Sequence, residues 1–288
     1  GVEKLYETTK QLINHNIKNI LVEKPGALIE KEFEELVNLS RSKKANIFIA
    51  YNRRFYASVI EAEKLIIEDG GLQSMHFEFT EWAHTIEPLK KAEGVKENWF
   101  FANSTHVVDL AFFIAGNPKI LKSFSKPGKL DWHDKTNFVG AGETEKGVLF
   151  SYISNWESAG RWGIELLTQN RRIYLKPMED IHVQRKGSIN VIKHEVDLSL
   201  DDKFKAGLYL QVEEFISGLS RAYAVADDDL RPAMSNLVRS TGSVEAAQDL
   251  MATALNISAA TGRSLTEVSA ALTRGFSGNT TGLSRLGA

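Results

Sequence analysis

Between Met75 and Val196 the chain breaks into short stretches in which apolar and polar residues alternate. They read MHFEFTEW (Met75–Trp82), GVLFSYIS (Gly147–Ser154), WGIELLT (Trp162–Thr168), RRIYLKP (Arg171–Pro177), IHVQR (Ile181–Arg185) and INVIKHEV (Ile189–Val196). A period of two places one set of side chains on one face of a strand, which no helix does. Turn residues such as Gln169-Asn170 and Gly187-Ser188 separate neighbouring runs. The expectation is a large antiparallel sheet built largely of hairpins. One helix interrupts it, from about Ser104 to Ala115, stopped by Gly116-Asn117-Pro118.

The first part of the chain has another rhythm. Glu3–Asn14 is amphipathic through Leu5, Leu12 and Ile13, and a short apolar strand follows at Asn19–Val22. A helix over Ile29–Arg41 carries Phe33, Leu36, Val37 and Leu39, and a second strand runs over Asn46–Ala50. Helix and strand alternating through short connections predict a parallel, helix-covered sheet. The last part differs again. Up to Lys205 there are 22 lysines and 7 arginines; from Ala206 on there are 6 arginines and no lysine. We therefore expect an α/β chain in three parts, with the last boundary inside Gly218–Ala226. The first, 1–56, is the C-terminal part of a Rossmann-like parallel sheet. The second, 57–220, is an α/β domain with a large, mostly antiparallel sheet, and the third, 221–288, is an α-helical tail. An alanine-rich helical end of the second domain is the alternative for the tail. A start at Gly-Val-Glu-Lys, already helical in pattern, leads us to expect a fragment.

The 288 residues are 43% hydrophobic and 25% charged with a formal net charge of −2, which gives no reason to expect nucleic acid or a membrane surface as partner. There is no cysteine, so disulfides and thiolate metal sites are excluded. No metal site of another kind is expected. No apolar run reaches the ~20 residues of a membrane span, no signal peptide opens the chain, and a cytoplasmic setting is expected.

Ligands of open parallel sheets bind beyond the carboxyl ends of the strands. Glu23-Lys24-Pro25 follows the first strand directly and Tyr51-Asn52-Arg53-Arg54 the second. A lysine so placed can hold a hydroxyl or exchange its proton, and Pro25 restricts Lys24 to extended backbone and aims it. Arginine suits bidentate binding of carboxylate or phosphate. The plain alternative is two solvated turns. His106 and Asp109, three residues apart on the interrupting helix, share a face. Near a helix N-terminus His106 stays neutral and able to act as a base, and Asn103 or Ser104 can cap that end. A purely structural histidine is the alternative. GAGETE (Gly140–Glu145) begins like a dinucleotide fingerprint but lacks the third glycine and runs into a strand at Gly147–Ser154, so a hairpin turn is expected there.

Glu-Lys-Pro after a strand, Asn-Arg-Arg-Phe about 28 residues on and a later His-x-x-Asp helix together resemble the Gfo/Idh/MocA family of NAD(P)-dependent sugar and polyol dehydrogenases. GLYLQVEEFISG (Gly207–Gly218) resembles the family's last helix, so the likeness covers about residues 1–218. It implies a partial dinucleotide-binding domain followed by a substrate and oligomerisation domain. It implies catalytic Lys24 and His106, and substrate contacts by Tyr51, Asn52, Arg53, Arg54, Asn103 and Asp109. Glu23, Lys24 and Pro25 would stand at NAD or NADP, and the substrate would be a small sugar- or polyol-like alcohol. A homodimer through the open sheet face is implied as well. Two departures stand out. Many members carry an aspartate four residues before the histidine, where this chain has Ala102. The family's opening strand, glycine-rich turn and helix do not precede Gly1, so weak or absent NAD(P) binding is expected.

The tail resembles segments of phage tail tape-measure proteins, in LRPAMSNLVRSTGS (Leu230–Ser243), AATGRSLTEVS (Ala259–Ser269) and GNTTGLSRLG (Gly278–Gly287). The resemblance implies a structural role without catalysis. One helix is expected from Ser243 to Thr261, ended by Gly262, and another from Ser264 to about Gly275. Joining two such halves points to a chimera, and a non-catalytic chimera is the alternative to the enzyme.

Overall fold

A computed structural model describes residues 1–223 and 227–276. In chain order the elements begin with α1 (Leu5–Asn14), β1 (Asn19–Glu23), α2 (Glu30–Lys43), β2 (Asn46–Ala50), α3 (Ala57–Glu68) and β3 (Ser74–Glu78). A single turn α4 (Ala83–Ile86) precedes α5 (Thr105–Ala115), β4 (Pro118–Lys126), β5 (Asn137–Thr144), β6 (Leu149–Asn155) and β7 (Gly163–Leu167). Then come β8 (Arg171–Leu175), β9 (His182–Arg185), β10 (Val191–Lys193), α6 (Ser199–Lys203) and α7 (Leu208–Tyr223). The last three are α8 (Asp227–Thr241), α9 (Val244–Thr261) and α10 (Leu265–Phe276). The described residues thus form an α/β fold whose last described elements are helices.

Chain contacts draw two compact units where three parts were expected. One is Gly1–Glu3, Ala27–Ile29 and Tyr51–Gln211; the other is Lys4–Gly26, Glu30–Ala50 and the chain from Val212 on. The first unit is an eight-stranded sheet in the order β10-β9-β8-β7-β3-β6-β5-β4. Every neighbouring pair is antiparallel except β3 with β6. Alternation decides what is inside. Ile164 and Leu166 of β7 pair with Leu175 and Ile173 of β8, and all four are fully buried. They form one core with Met75 and Phe77 of β3, Val59 and Ala62 of α3 and Leu110 of α5.

The sequence pattern did not show β4 or β5. All nine residues of β4 are exposed, so it has no buried face to leave an apolar rhythm. Of the hairpin turn expected over Gly140–Glu145, Gly140–Thr144 is instead the second half of β5, and the turn comes at Glu145-Lys146. Those glycines answer to crowding. A Cβ on Gly142 would stand 1.8 Å from the Ile120 carbonyl oxygen, and one on Gly140 2.4 Å from the Tyr152 ring.

The second unit holds the parallel pair. β1 and β2 run in register from Asn19↔Asn46 to Glu23↔Ala50. Tyr6 of α1 donates to the Glu35 carboxylate of α2, and Lys10 reaches the same group. The C-terminal helices belong to this unit. Leu230, Leu237, Met251, Leu255, Leu265 and Val268 form a core with Phe215 of α7, and Leu21 of β1 packs against it. The Phe48 ring of β2 meets that of Phe215 edge to face at 5.6 Å. The tail caps follow the sequence reading. Ser243 Oγ accepts from the Ala246 N–H, Gly262 closes α9 in the left-handed region, and Ser264 Oγ accepts from Glu267 N–H. The expected signature over Gly278–Gly287 lies outside the described residues. No helix among the described residues is long and apolar enough to cross a membrane.

Candidate active site

The turn after β2 carries four of the predicted residues and is fixed by its surroundings in the sheet unit. Asn52 donates to the Ala206 carbonyl at 3.0 Å. With its carboxamide oxygen turned inward, Gln211 accepts from the backbone N–H groups of Tyr51 and Asn52. Asp201 accepts from the backbone N–H groups of Ala57 and Gly207, both at 3.0 Å. Gly207 has φ +72°, and a Cβ there would stand 2.1 Å from the Asn52 carbonyl oxygen, so the position requires glycine.

The neighbouring arginines part company. Arg54 forms a bidentate pair with Asp109, Nε to Oδ2 at 2.7 Å and the second nitrogen to Oδ1. Burial pushes the Asp109 carboxyl upward, opposed by Arg54. Arg53 instead lies over aromatic faces, 4.9 Å from the Trp162 ring and 5.8 Å from that of Tyr56. Burial lowers its pKa. His106 is 8% exposed. Its ring centroid is 6.0 Å from Tyr51 and 5.9 Å from Trp162. Burial raises the Tyr51 phenol, with a hydrogen bond from Thr105 opposing it.

The expected cap does not form. Phe100–Ser104 is a π-helical turn running directly into α5, so Ser104 has helical backbone and makes no side-chain cap. Asn103 and Ser104 turn instead to Glu81. Its carboxylate, 1% exposed, accepts from Asn103 Nδ2 at 3.1 and 3.2 Å, Ser104 Oγ at 2.7 Å and Arg161 at 3.3 Å. Burial raises the Glu81 pKa, and the Ser104 hydrogen bond opposes this most strongly. The Arg161 guanidinium stacks 4.4 Å from the Trp162 ring and 4.9 Å from that of Trp82.

Glu81, Ser104, Arg161 and Trp162 were not among the predicted contacts. Glu81 had a legible signal: in FEFTE, period two puts Phe77, Phe79 and Glu81 on one face, and all three are buried. A carboxylate on an apolar face needs partners inside.

Glu23, Lys24 and Pro25 belong to the other unit, at the carboxyl end of β1. The Lys24 backbone N–H donates to Glu23 Oε2 at 2.9 Å, and the Gly26 N–H closes the turn onto the Glu23 carbonyl at 3.0 Å. Gly26 has φ +87°, which favours glycine. Tyr51, Asn52, Arg53, Arg54, Asn103, His106 and Asp109 all lie in the sheet unit. A cavity of about 500 Å³ is lined by Arg54, Asp109, Phe113, Asn117 and Lys146, and not by His106. No group of three or more metal-ligating side chains occurs among the described residues.

Solved structures share this architecture. A dehydrogenase from Clostridium difficile superposes with a TM-score of 0.60 at 18% identity, over 77% of this chain and 69% of its own. UDP-N-acetylglucosamine 3-dehydrogenase from Acidithiobacillus ferrooxidans gives 0.57 at 12% identity, over 77% of this chain and 68% of its own. Levoglucosan dehydrogenase in complex with NADH and levoglucosan gives 0.55 at 16%, over 69% and 60%. The fold is theirs. At such identities the likeness extends to the fold alone, and it spans about two thirds of those proteins' length or less. No protein-family profile matches the sequence, and no curated protein does.

Proposed function

We propose that this chain carries the alcohol-handling residues of a Gfo/Idh/MocA-type NAD(P)-linked oxidoreductase acting on a sugar- or polyol-like hydroxyl. The supporting observation is the His106 cluster, in which an imidazole stands beside Tyr51 and Trp162, with Arg53 over the Trp162 ring, in a fold shared with sugar dehydrogenases. In this reading His106 takes the hydroxyl proton. Lys24 donates to the hydroxyl oxygen and favours its alkoxide form. Asn103 and Asp109 act through held positions, the first on Glu81 and the second on Arg54.

A nicotinamide dinucleotide, when bound, supplies the hydride acceptor. The parallel pair offers the carboxyl end of a strand, where open sheets bind ligands, with Glu23, Lys24 and Pro25 upon it. The described elements contain no glycine-rich strand-to-helix turn, and the Gly140–Gly142 pair lies inside β5. The fit is therefore to the reacting end of the cofactor.

The test is alcohol-dependent reduction of NAD or NADP by the full chain at saturating nucleotide, with levoglucosan, UDP-N-acetylglucosamine and inositol as substrates. His106→Asn and Lys24→Met should each lower kcat/KM by about 100-fold or more. Unchanged rates in both variants would refute the assignment.

The open sheet face supports a homodimer. Phe124, Val139 and Ile153 sit opposite one another on β4, β5 and β6 and are 72%, 45% and 45% exposed. Phe124→Lys should shift the chain towards monomer in analytical ultracentrifugation. For the tail we propose a structural role of tape-measure type in a chimeric chain, supported by its lysine-free composition. The encoding DNA across residue 222 tests the chimera.

A further inference from the structure

The two adjacent arginines have different amounts of hydrogen-bonding capacity left. Arg54 is consumed by Asp109 through both of its inward nitrogens. Arg161 has Glu81 at 3.3 Å. Arg53 has neither kind of partner: its Nε is buried without an acceptor, and only the rings of Trp162 and Tyr56 flank it. Trp162 is 5% exposed, and its Nε1 is likewise buried without an acceptor. Buried donors in folded proteins nearly always have a partner, and leaving one unmet is costly. Here two such donors occur in one stack, beside the His106 ring at 5.9 Å from Trp162.

We propose that Arg53 and Trp162 form the binding site for a carboxylate carried by the substrate, so that the alcohol oxidised is that of a sugar acid. The geometry favours this group on three counts. The guanidinium lies 4.9 Å from the Trp162 ring and 5.8 Å from that of Tyr56, and a planar guanidinium is suited to meet two carboxylate oxygens side by side. The indole N–H supplies a neutral donor that suits an anionic oxygen. The charge also balances with one negative unit. Arg161 pairs with the buried Glu81, whereas Arg53 has no ion-pair partner among the described residues, and the carboxylates of Glu179 and Glu81 act on it only from beyond ion-pair distance. A phosphate ester would bring a second negative charge with no cation to meet it.

The sugar part of this ligand rests on the alcohol-oxidising reading; the carboxylate site does not. Calorimetric titration of the full chain with glucuronate, glucose and glucose 6-phosphate separates the two. Glucuronate should bind about tenfold or more tighter than glucose, the scale of one charge-assisted hydrogen bond. Glucose 6-phosphate should gain less than glucuronate. Arg53→Met should bring the glucuronate-to-glucose ratio to about one, and Arg53→Lys, which keeps the charge without the planar fork, should leave an intermediate ratio. Equal affinities for glucuronate and glucose in the unaltered chain, or no glucuronate binding at all, would overturn the proposal even if Arg53→Met failed to fold. A preference surviving in Arg53→Met, or the phosphate ester binding tightest, would overturn it as well. Turnover of neutral sugars with no preference for the acid would sink this inference and leave the proposed reaction standing. Tight glucuronate binding with no turnover would do the reverse.

Discussion

Each of the two units has an interior of its own kind. In the sheet unit the core is crossed by polar networks: Glu81 gathers Asn103, Ser104 and Arg161, and the buried Asp69 accepts from Thr168 at 2.6 Å and Asn170 at 3.2 Å. In the other unit the described core is almost wholly aliphatic, with Leu237, Ala247, Met251, Ala254 and Val268 fully buried along three helices. Buried polar groups are costly unless fully partnered, and they fix geometry when they are. The unit with the buried carboxylates is also the one that holds His106 and the arginines. Pre-arranged polarity and candidate chemistry occur together, while the aliphatic unit gives the two short strands an apolar cover.

The largest expected effect tests that cover. Leu237→Ala should cost about 2–5 kcal/mol. It should speed hydrogen exchange at the amides of β1 and β2 while leaving those of β7 and β8 unaltered. Unaltered exchange in the strand pair would break the comparison, because the helices would then be passengers.

A smaller effect probes the polar side. The Glu81 carboxyl is raised in the fold above the ordinary 4.5. Between the unfolded and folded values the folded chain therefore holds more protons, so this group's stabilisation is present at low pH and lost as pH rises through that interval. Glu81→Gln should abolish that slope in urea-unfolding midpoints measured across mildly acidic pH, with an overall change of about 1–3 kcal/mol. An unchanged slope would detach Glu81 from it. The smallest effect is at the Ser243 cap, where Ser243→Ala should cost about 1 kcal/mol, read as a lower melting temperature.

Much of this architecture was legible because burial writes a period into the chain. β3, β6, β7 and β8 each bury one face and could be seen as alternation; β1 and β2 showed as short apolar runs between helices. β4 buries nothing and left no rhythm, and β5 was obscured by glycines that answer to close neighbours and not to a turn. At the candidate site the pairing of Asp109 was out of reach. Helix spacing put it on the face of His106, while its partner Arg54 lies 55 residues away in sequence. The π-helical entry to α5 was equally hidden, because Asn and Ser before a helix look like caps whether or not a buried carboxylate draws them away.

The outermost strand of the sheet carries a last consequence. Lys119, Lys122 and Lys126 recur along β4, whose outer edge pairs with no described strand. A second copy approaching edge to edge would align ammonium groups against ammonium groups, a repulsion that discourages runaway fibre growth. Self-association through that edge is thereby disfavoured, and raised salt, by screening those cations, should be the condition under which the protection weakens and the chain precipitates.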